Sequence, residues 1–262
     1  MQRIRLAYGG DSNQIVDLIR NSFDKDILSA LLYGCKGISS YIKEQILVPN
    51  NLSDTKYFVA EDAGSISGCI ELRLMKDAIF LNYICTSQQK REKGLGNKML
   101  YHAIEHVKTR AHSKMSLDVF INNSVARQWY ENLGFSEEYR IDWWKIPVVV
   151  KGNDPGYVSG YPQASKCYNE WGFSSFTTMT QSSSYSVGCL GPSWFRITDP
   201  ALLDDQSAMA CLKTLDPDRM ILGLFRDDSR FVVPDNAMKF CTSARMSVAL
   251  DELLQTLKER LV

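Results

Sequence analysis

The segment Arg91-Glu-Lys-Gly-Leu-Gly-Asn-Lys-Met-Leu100 sets two glycines one residue apart at the mouth of an amphipathic helical pattern. The first turn of a helix carries backbone N–H groups with no intrahelical acceptor, and the aligned peptide dipoles add partial positive charge there. A pyrophosphate fits such a nest when no side chain obstructs it, and Gly94 and Gly96 remove two Cβ atoms. The stretch is not a P-loop, because no Gly-Lys-Ser/Thr follows, nor the dinucleotide fingerprint, because the spacing is wrong. Alone, such a pair of glycines reads more readily as a plain turn.

Two further patterns invite chemistry. His102-Ala-Ile-Glu105-His106 fits H-x-x-E-H, which in zinc hydrolases puts two imidazoles on one helix face. The only other histidine is His112, so these read as solvated helix-face side chains and no metal is expected. Seven cysteines lie scattered without a C-x-x-C pair. An odd, unpatterned set suggests reduced, mostly buried thiols rather than a disulfide framework or a zinc site, and Cys85 in an apolar strand is expected to pack rather than react.

The elements around the glycines are a strand over 4–7, a helix from Ser12, a helix over 40–47, and a three-strand meander over 56–60, 65–75 and 78–86. A helix over 96–111 follows the glycines, its buried face made by Leu100, Ile104, Val107 and Ala111. Then come a strand over 116–121, a helix over 124–133 between Asn123 as N-cap and Gly134 as stop, and a strand over 135–146. The first domain is therefore placed at 1–147. Residues 148–162, with Gly and Pro concentrated from 151, read as a linker, and 163–262 as a smaller α/β domain. In that second part, Ser/Thr-rich strands, a helix over 200–215, strands over 220–225 and 239–248 and a helix over 250–261 could form a worn copy of the first unit.

In this setting the glycine segment resembles the pyrophosphate motif Q/R-x-x-G-x-G/A of the GNAT superfamily of acyl-coenzyme A dependent N-acetyltransferases, met by Arg91-Glu92-Lys93-Gly94-Leu95-Gly96. A second family signature appears as Asn123-Ser-Val-Ala126-Arg-Gln-Trp-Tyr130-Glu-Asn-Leu-Gly134-Phe135. The resemblance covers residues 1 to about 147. It implies an α+β fold, a twisted, mostly antiparallel sheet flanked by helices, and transfer of an acetyl group from acetyl-CoA to a primary amine by direct attack in a ternary complex.

The resemblance also implies site residues. The backbone of Ile84, Cys85 and Thr86 would pair with the pantetheine arm and polarise the thioester carbonyl. Residues 91–97, including Asn97, would grip the pyrophosphate, Asn123 would bond the pantetheine as well as cap its helix, and Tyr130 would protonate the departing thiolate. A proline usual before the loop is Gln88 here. The glutamate that some relatives use as base is Phe80; Glu71 on the neighbouring strand, Asn82 or Tyr83 through water, or a carboxylate of the second part could replace it. The missing acid keeps a rival open, a non-catalytic acyl-CoA-binding sensor.

Bulk properties bound the partners. Thirty Lys and Arg balance thirty Asp and Glu, so there is no basic field for nucleic acid. No apolar run approaches the roughly 20 residues of a membrane span, and the start has no secretory pattern, so a cytoplasmic protein is expected. The acceptor is expected to be a small-molecule or peptide amine, and the protein a monomer or homodimer. Trp143, Trp144 and the run from Tyr168 to Tyr185 could line an acceptor pocket, with strand packing the plainer role.

Overall fold

The computed structural model of the chain describes residues 3–90, 94–150, 156–229 and 231–261. The first half holds β1 (Arg3–Leu6), α1 (Ser12–Arg20), α2 (Lys25–Ser29), α3 (Ile38–Leu47), β2 (Thr55–Asp62), β3 (Ser65–Leu74), β4 (Ala78–Thr86), α4 (Leu95–Val107), β5 (Lys114–Phe120), α5 (Ser124–Asn132) and β6 (Ser136–Ile146). The second half holds β7 (Tyr157–Ser159), α6 (Tyr161–Trp171), β8 (Phe173–Met179), β9 (Ser184–Leu190), β10 (Trp194–Ile197), α7 (Gln206–Leu215), β11 (Met220–Arg226), β12 (Met238–Ala249) and α8 (Leu250–Glu259). The chain divides into two compact units: Met1–Asp24, Ser39–Glu138 and Ala244–Val262 make the first, and Lys25–Ile38 with Tyr139–Ser243 the second.

In the first unit the strands run in the order β1-β2-β3-β4-β5-β12. Strands β1 to β4 pair antiparallel, and β4 pairs parallel with β5. Apolar residues alternate along these strands because one face of the sheet meets α4 and α8. Phe58, Ile70, Leu72, Ile79, Leu81, Met115 and Leu117 form that face, covered by Met99, Leu100, Ala103 and Ile104 of α4 and by Leu253 and Leu257 of α8. Helix α4 approaches β3 closely at Gly68, where an added Cβ would stand 2.6 Å from Met99 Sδ. That glycine in mid-strand is there for the helix.

In the second unit the order is β6-β11-β10-β9-β8-β7. Here β10 and β11 are parallel and the remaining pairs antiparallel. Its core gathers Ile146, Phe176, Val187, Phe195, Ile221 and Phe225 with Leu212 of α7. The sequence β7-α6-β8-β9-β10-α7-β11 repeats the first unit's succession of one strand, a helical segment, three strands, a helix and a parallel fifth strand.

The division departs from the expected cut at 147 and 163. Residues 244–262 were expected in the second domain, yet Ala244, Met246, Val248, Leu250, Leu253, Leu254 and Leu257 are buried in the first core. Each buried leucine there is worth about 2–5 kcal/mol against truncation to alanine. Residues 25–38, expected in the first domain, belong to the second unit. Strand β7 and the start of α6 lie inside the expected linker, and β10 was not anticipated. Four residues are short for a periodicity to register.

Candidate functional site

Strand β4 changes its surroundings along its length. Its ladder with β5 covers Ala78↔Lys114 to Leu81↔Leu117, while its pairing with β3 continues to Thr86↔Gly68. The change coincides with an irregularity: Glu71 faces Tyr83 and Leu72 faces Leu81, so Asn82 is an extra residue on β4. Such a bulge bends and twists a strand. From Asn82 onward, Ile84, Cys85 and Thr86 thus lie outside the β5 ladder, with one backbone edge not occupied by it.

A 3-10 turn at Gln88–Lys90 follows, and α4 begins at Leu95. Gly94 is its N-cap, with φ of 73° and no side-chain cap. That left-handed conformation is one an L side chain resists, and a Cβ there would meet nothing within 4 Å. Among the described residues the first helical hydrogen bond runs from the Lys98 N–H to the Gly94 carbonyl at 3.2 Å. The Leu95, Gly96 and Asn97 N–H groups therefore precede the ladder and point out of the helix start. These features fit an anionic group. Arg91, Glu92 and Lys93 lie outside the described residues.

Gly96 plays a different part from the one its motif suggests. Its missing Cβ faces the Trp129 ring, whose Cζ2 would be 3.3 Å away. The same indole donates its N–H to Asn97 Oδ1 at 2.9 Å. Trp129 of α5 thereby braces the first turn of α4, a role that sequence reading missed. Only the spacing from Tyr130 hinted at it. Asn97 spends its side-chain oxygen on this brace, which leaves its backbone N–H at the helix mouth.

Asn123 caps α5, accepting from the Ala126 N–H at 3.2 Å through Oδ1. Its NH2 group has no hydrogen-bond partner among the described residues. Tyr130 is 8 % exposed, its ring 4.9 Å from Trp129 and 5.6 Å from Phe135. Its hydroxyl also has no hydrogen-bond partner among the described residues. Burial raises the Tyr130 pKa above the ordinary phenol value, and the neighbouring Cys85 adds to the rise. Cys85 itself is buried opposite Cys69, whose thiol is pushed well above its usual value, first by the hydrogen bond with Cys85 and then by burial. Both serve as packing thiols.

On the sheet face away from α4, Glu71 is 5 % exposed. It accepts from Asn82 Nδ2 at 2.5 Å, so the bulged residue holds the carboxylate. Tyr57 stands opposite Glu71 on β2 and donates to Gln45 Oε1 at 2.6 Å; Gln45 Nε2 donates to Tyr41 at 3.1 Å. Burial raises both phenols' pKa, and Glu71 reinforces the effect. Phe80 carries the Arg245 guanidinium 5.0 Å from its ring centre, while Arg245 grips Asp118 at 2.6 and 2.9 Å.

Other candidates fall to packing. His102 and His106 both stand edge-on to Phe58, and burial, then His106, lowers the His102 pKa. Among the described residues no group of three metal-ligating side chains occurs, and no helix is long and apolar enough to cross a membrane. Trp143 is buried and donates to Ser243, and Trp144 and Phe176 belong to the second core.

Residues 27–135 match the model of the Acetyltransferase (GNAT) family. The 5-NmdU N-acetyltransferase of Pseudomonas phage PaMx11 is 34% identical over 80 residues, which are 30% of this chain and 55% of that protein. The chain thus spans about half the length of this curated relative. Among solved structures, a tandem GNAT protein from the clavulanic acid biosynthesis pathway superposes with a TM-score of 0.69 at 9% identity, over 95% of this chain and 98% of that one. A GCN5-related N-acetyltransferase from Sphaerobacter thermophilus gives 0.57 at 10% identity, over 95% of both chains. At such identities the likeness is one of fold, and it spans both units.

Proposed function

We propose that the protein is an acyl-CoA-dependent N-acetyltransferase whose chemistry resides in the first unit. One observation carries this reading: the start of α4 without a side-chain cap, the stretch of β4 beyond the end of its β5 ladder, and the Tyr130 hydroxyl, which has no hydrogen-bond partner among the described residues, occur together in that unit. The match of residues 27–135 to the Acetyltransferase (GNAT) family model supports it.

In this reading the N–H groups of residues 95–97 hold the pyrophosphate of acetyl-CoA, with Arg91, Glu92, Lys93 and Gly94 completing the grip. The backbone of Ile84, Cys85 and Thr86 takes the pantetheine arm, Asn123 offers its NH2 group to the same arm, and a β4 N–H bonds the thioester oxygen as charge gathers there. The acceptor arrives as an ammonium ion, since a primary amine has a pKa near 10. Glu71, oriented by Asn82, receives its proton directly or through water. The amine nitrogen then bonds the carbonyl carbon, the carbon–sulfur bond breaks, the sulfur leaves with its electron pair, and the nitrogen gives its second proton to water, from which the Tyr130 phenol is later restored. Tyr130 donates a hydrogen bond and then a proton to that sulfur. Burial keeps the phenol protonated and, by the same desolvation, makes a buried thiolate more basic, which preserves the match between them.

The test is coenzyme A release from acetyl-CoA over a panel of amines that includes the acceptor named for the phage relative. Turnover that depends on both amine and Tyr130 supports the reading. Tight acetyl-CoA binding with no turnover, unchanged in affinity by Tyr130→Phe, would instead establish a sensor, the reading that Phe80 in place of an acid favours.

A further inference from the structure

Helix α5 carries Tyr130 on slender support. It has nine residues, and Tyr130 is the buried one among them. A helix of that length is marginal without tertiary contacts, so what it touches decides where its side chains sit. Asn123 closes its start from within the helix itself. Past its end, the Leu133 and Phe135 N–H groups bond the Tyr130 carbonyl at 2.9 and 3.1 Å, and both of those side chains are buried in the first core. That anchors the far end of α5.

Toward α4 the tie is Trp129. Among the described residues, its bond to Asn97 Oδ1 at 2.9 Å is the side-chain hydrogen bond that joins α5 to α4. The indole also covers Gly96, with Cζ2, Cη2 and Cε2 at 3.3, 3.7 and 3.9 Å from where a Cβ would stand. The same ring meets the phenol: the Trp129 and Tyr130 ring centres are 4.9 Å apart and inclined at 48°. Successive side chains on a helix point about 100° apart, so one residue reaches the first turn of α4 while the next enters the core. Any rotation or slide of α5 moves both. Neither motif that carried the resemblance specifies the residue at 97 or at 129.

We propose that Trp129 is a positioning residue for the Tyr130 acid. Its indole locks α5 onto the turn of α4 that holds the pyrophosphate, so the phenol keeps a set place relative to the bound cofactor. The inference rests on the N-acetyltransferase reading of the same site. It goes beyond it in making the acid depend on a contact that touches neither substrate nor reacting atoms.

The experiment measures kcat and the acetyl-CoA KM of Trp129→Phe, Asn97→Ala and their combination, each with and without Tyr130→Phe, using an amine that the unaltered protein acetylates. Trp129→Phe keeps an aromatic ring and removes the N–H. It should lower kcat about tenfold, as a shift short of the roughly 1 Å that costs about 100-fold, with the acetyl-CoA KM nearly unchanged. Asn97→Ala should match it, and the double variant should add nothing, because both remove one contact. In the Tyr130→Phe background none of these changes should lower kcat further. A rise in Tm with acetyl-CoA shows that each variant folds and binds; should Trp129→Phe fail to fold, Asn97→Ala breaks the same bond at a side chain that is only partly buried. An unchanged kcat overturns the proposal, as does an equal fall with and without the Tyr130 hydroxyl. If the unaltered protein binds acetyl-CoA and acetylates no amine, the transferase reading falls and this inference with it.

Discussion

Helices α4 and α7 occupy equivalent places in the two units, each following the fourth strand and leading into a parallel fifth, yet they begin in opposite ways. The start of α4 has a left-handed glycine and no side-chain cap. The start of α7 is closed by Asp205, whose Oδ1 accepts the Ala208 N–H at 3.0 Å while Oδ2 takes the Thr180 and Tyr185 hydroxyls at 2.9 and 3.3 Å. Just upstream, Asp199 accepts the Ala201 N–H. Their strands differ in the same sense. Strand β4 outruns its parallel partner, whereas β10 is paired with β11 along its whole length, from Trp194↔Met220 to Ile197↔Gly223.

One fold has thus been finished in two ways. A carboxylate at a helix start satisfies the same N–H groups that an anionic ligand would need, so the second unit spends its helix start on its own stability. The first has no side-chain cap there, which forgoes that stabilisation and fits the proposed place of a phosphate.

The sharpest way to break this contrast is at the hydroxyls. Tyr130→Phe should lower kcat by about 100- to 1000-fold with acetyl-CoA affinity retained, as loss of a positioned acid does. Tyr185→Phe in the second unit should leave kcat unchanged, and steady-state kinetics on both variants settles it. Next, Gly94→Asp plants the second unit's solution in the first. A fixed carboxylate in the nest should weaken acetyl-CoA about 100-fold, the loss of one or two charge-assisted hydrogen bonds. Calorimetric titration of the unaltered protein should give one acetyl-CoA per chain, and a stoichiometry of two would end the comparison.

The reciprocal change acts on stability alone. Asp205→Ala should destabilise the protein by about 1–3 kcal/mol in denaturant titrations, through a lost cap and two hydroxyls deprived of their acceptor, with acetyl-CoA affinity unaltered. The smallest effect concerns alkaline pH. Tyr57 and Tyr130 are both buried and their pKa values raised, so the fold favours the neutral phenols. Their contribution is fully present below the unfolded tyrosine pKa of about 10 and is lost as pH climbs above it. Tm should fall above that pH, less steeply in Tyr130→Phe than in the unaltered chain.

Much of the first unit was legible because its signals are local. The helix from Leu95, the meander of β2, β3 and β4, and the Asn123 cap each follow from periodicity or a short-range hydrogen bond. What stayed hidden was non-local. Nothing in the residues around 244–262 says that their apolar stripe fills a core begun two hundred residues earlier. Gly96 looked like clearance for a ligand, whereas its neighbour is the Trp129 ring. Asn82 gave no sign of being a bulge that holds Glu71.

The sequence by itself determined the mouth of α4 and the two motifs that flank it, since glycine conformation, helix caps and strand alternation are decided within a few residues. Only the tertiary structure decided which acid Asn82 holds and which segments close each core. It also showed that the repeat of the fold in the second unit carries its own carboxylate where the first has a left-handed glycine and no side-chain cap. Those outcomes depend on pairing register and on burial between distant segments, and no short window of residues contains either.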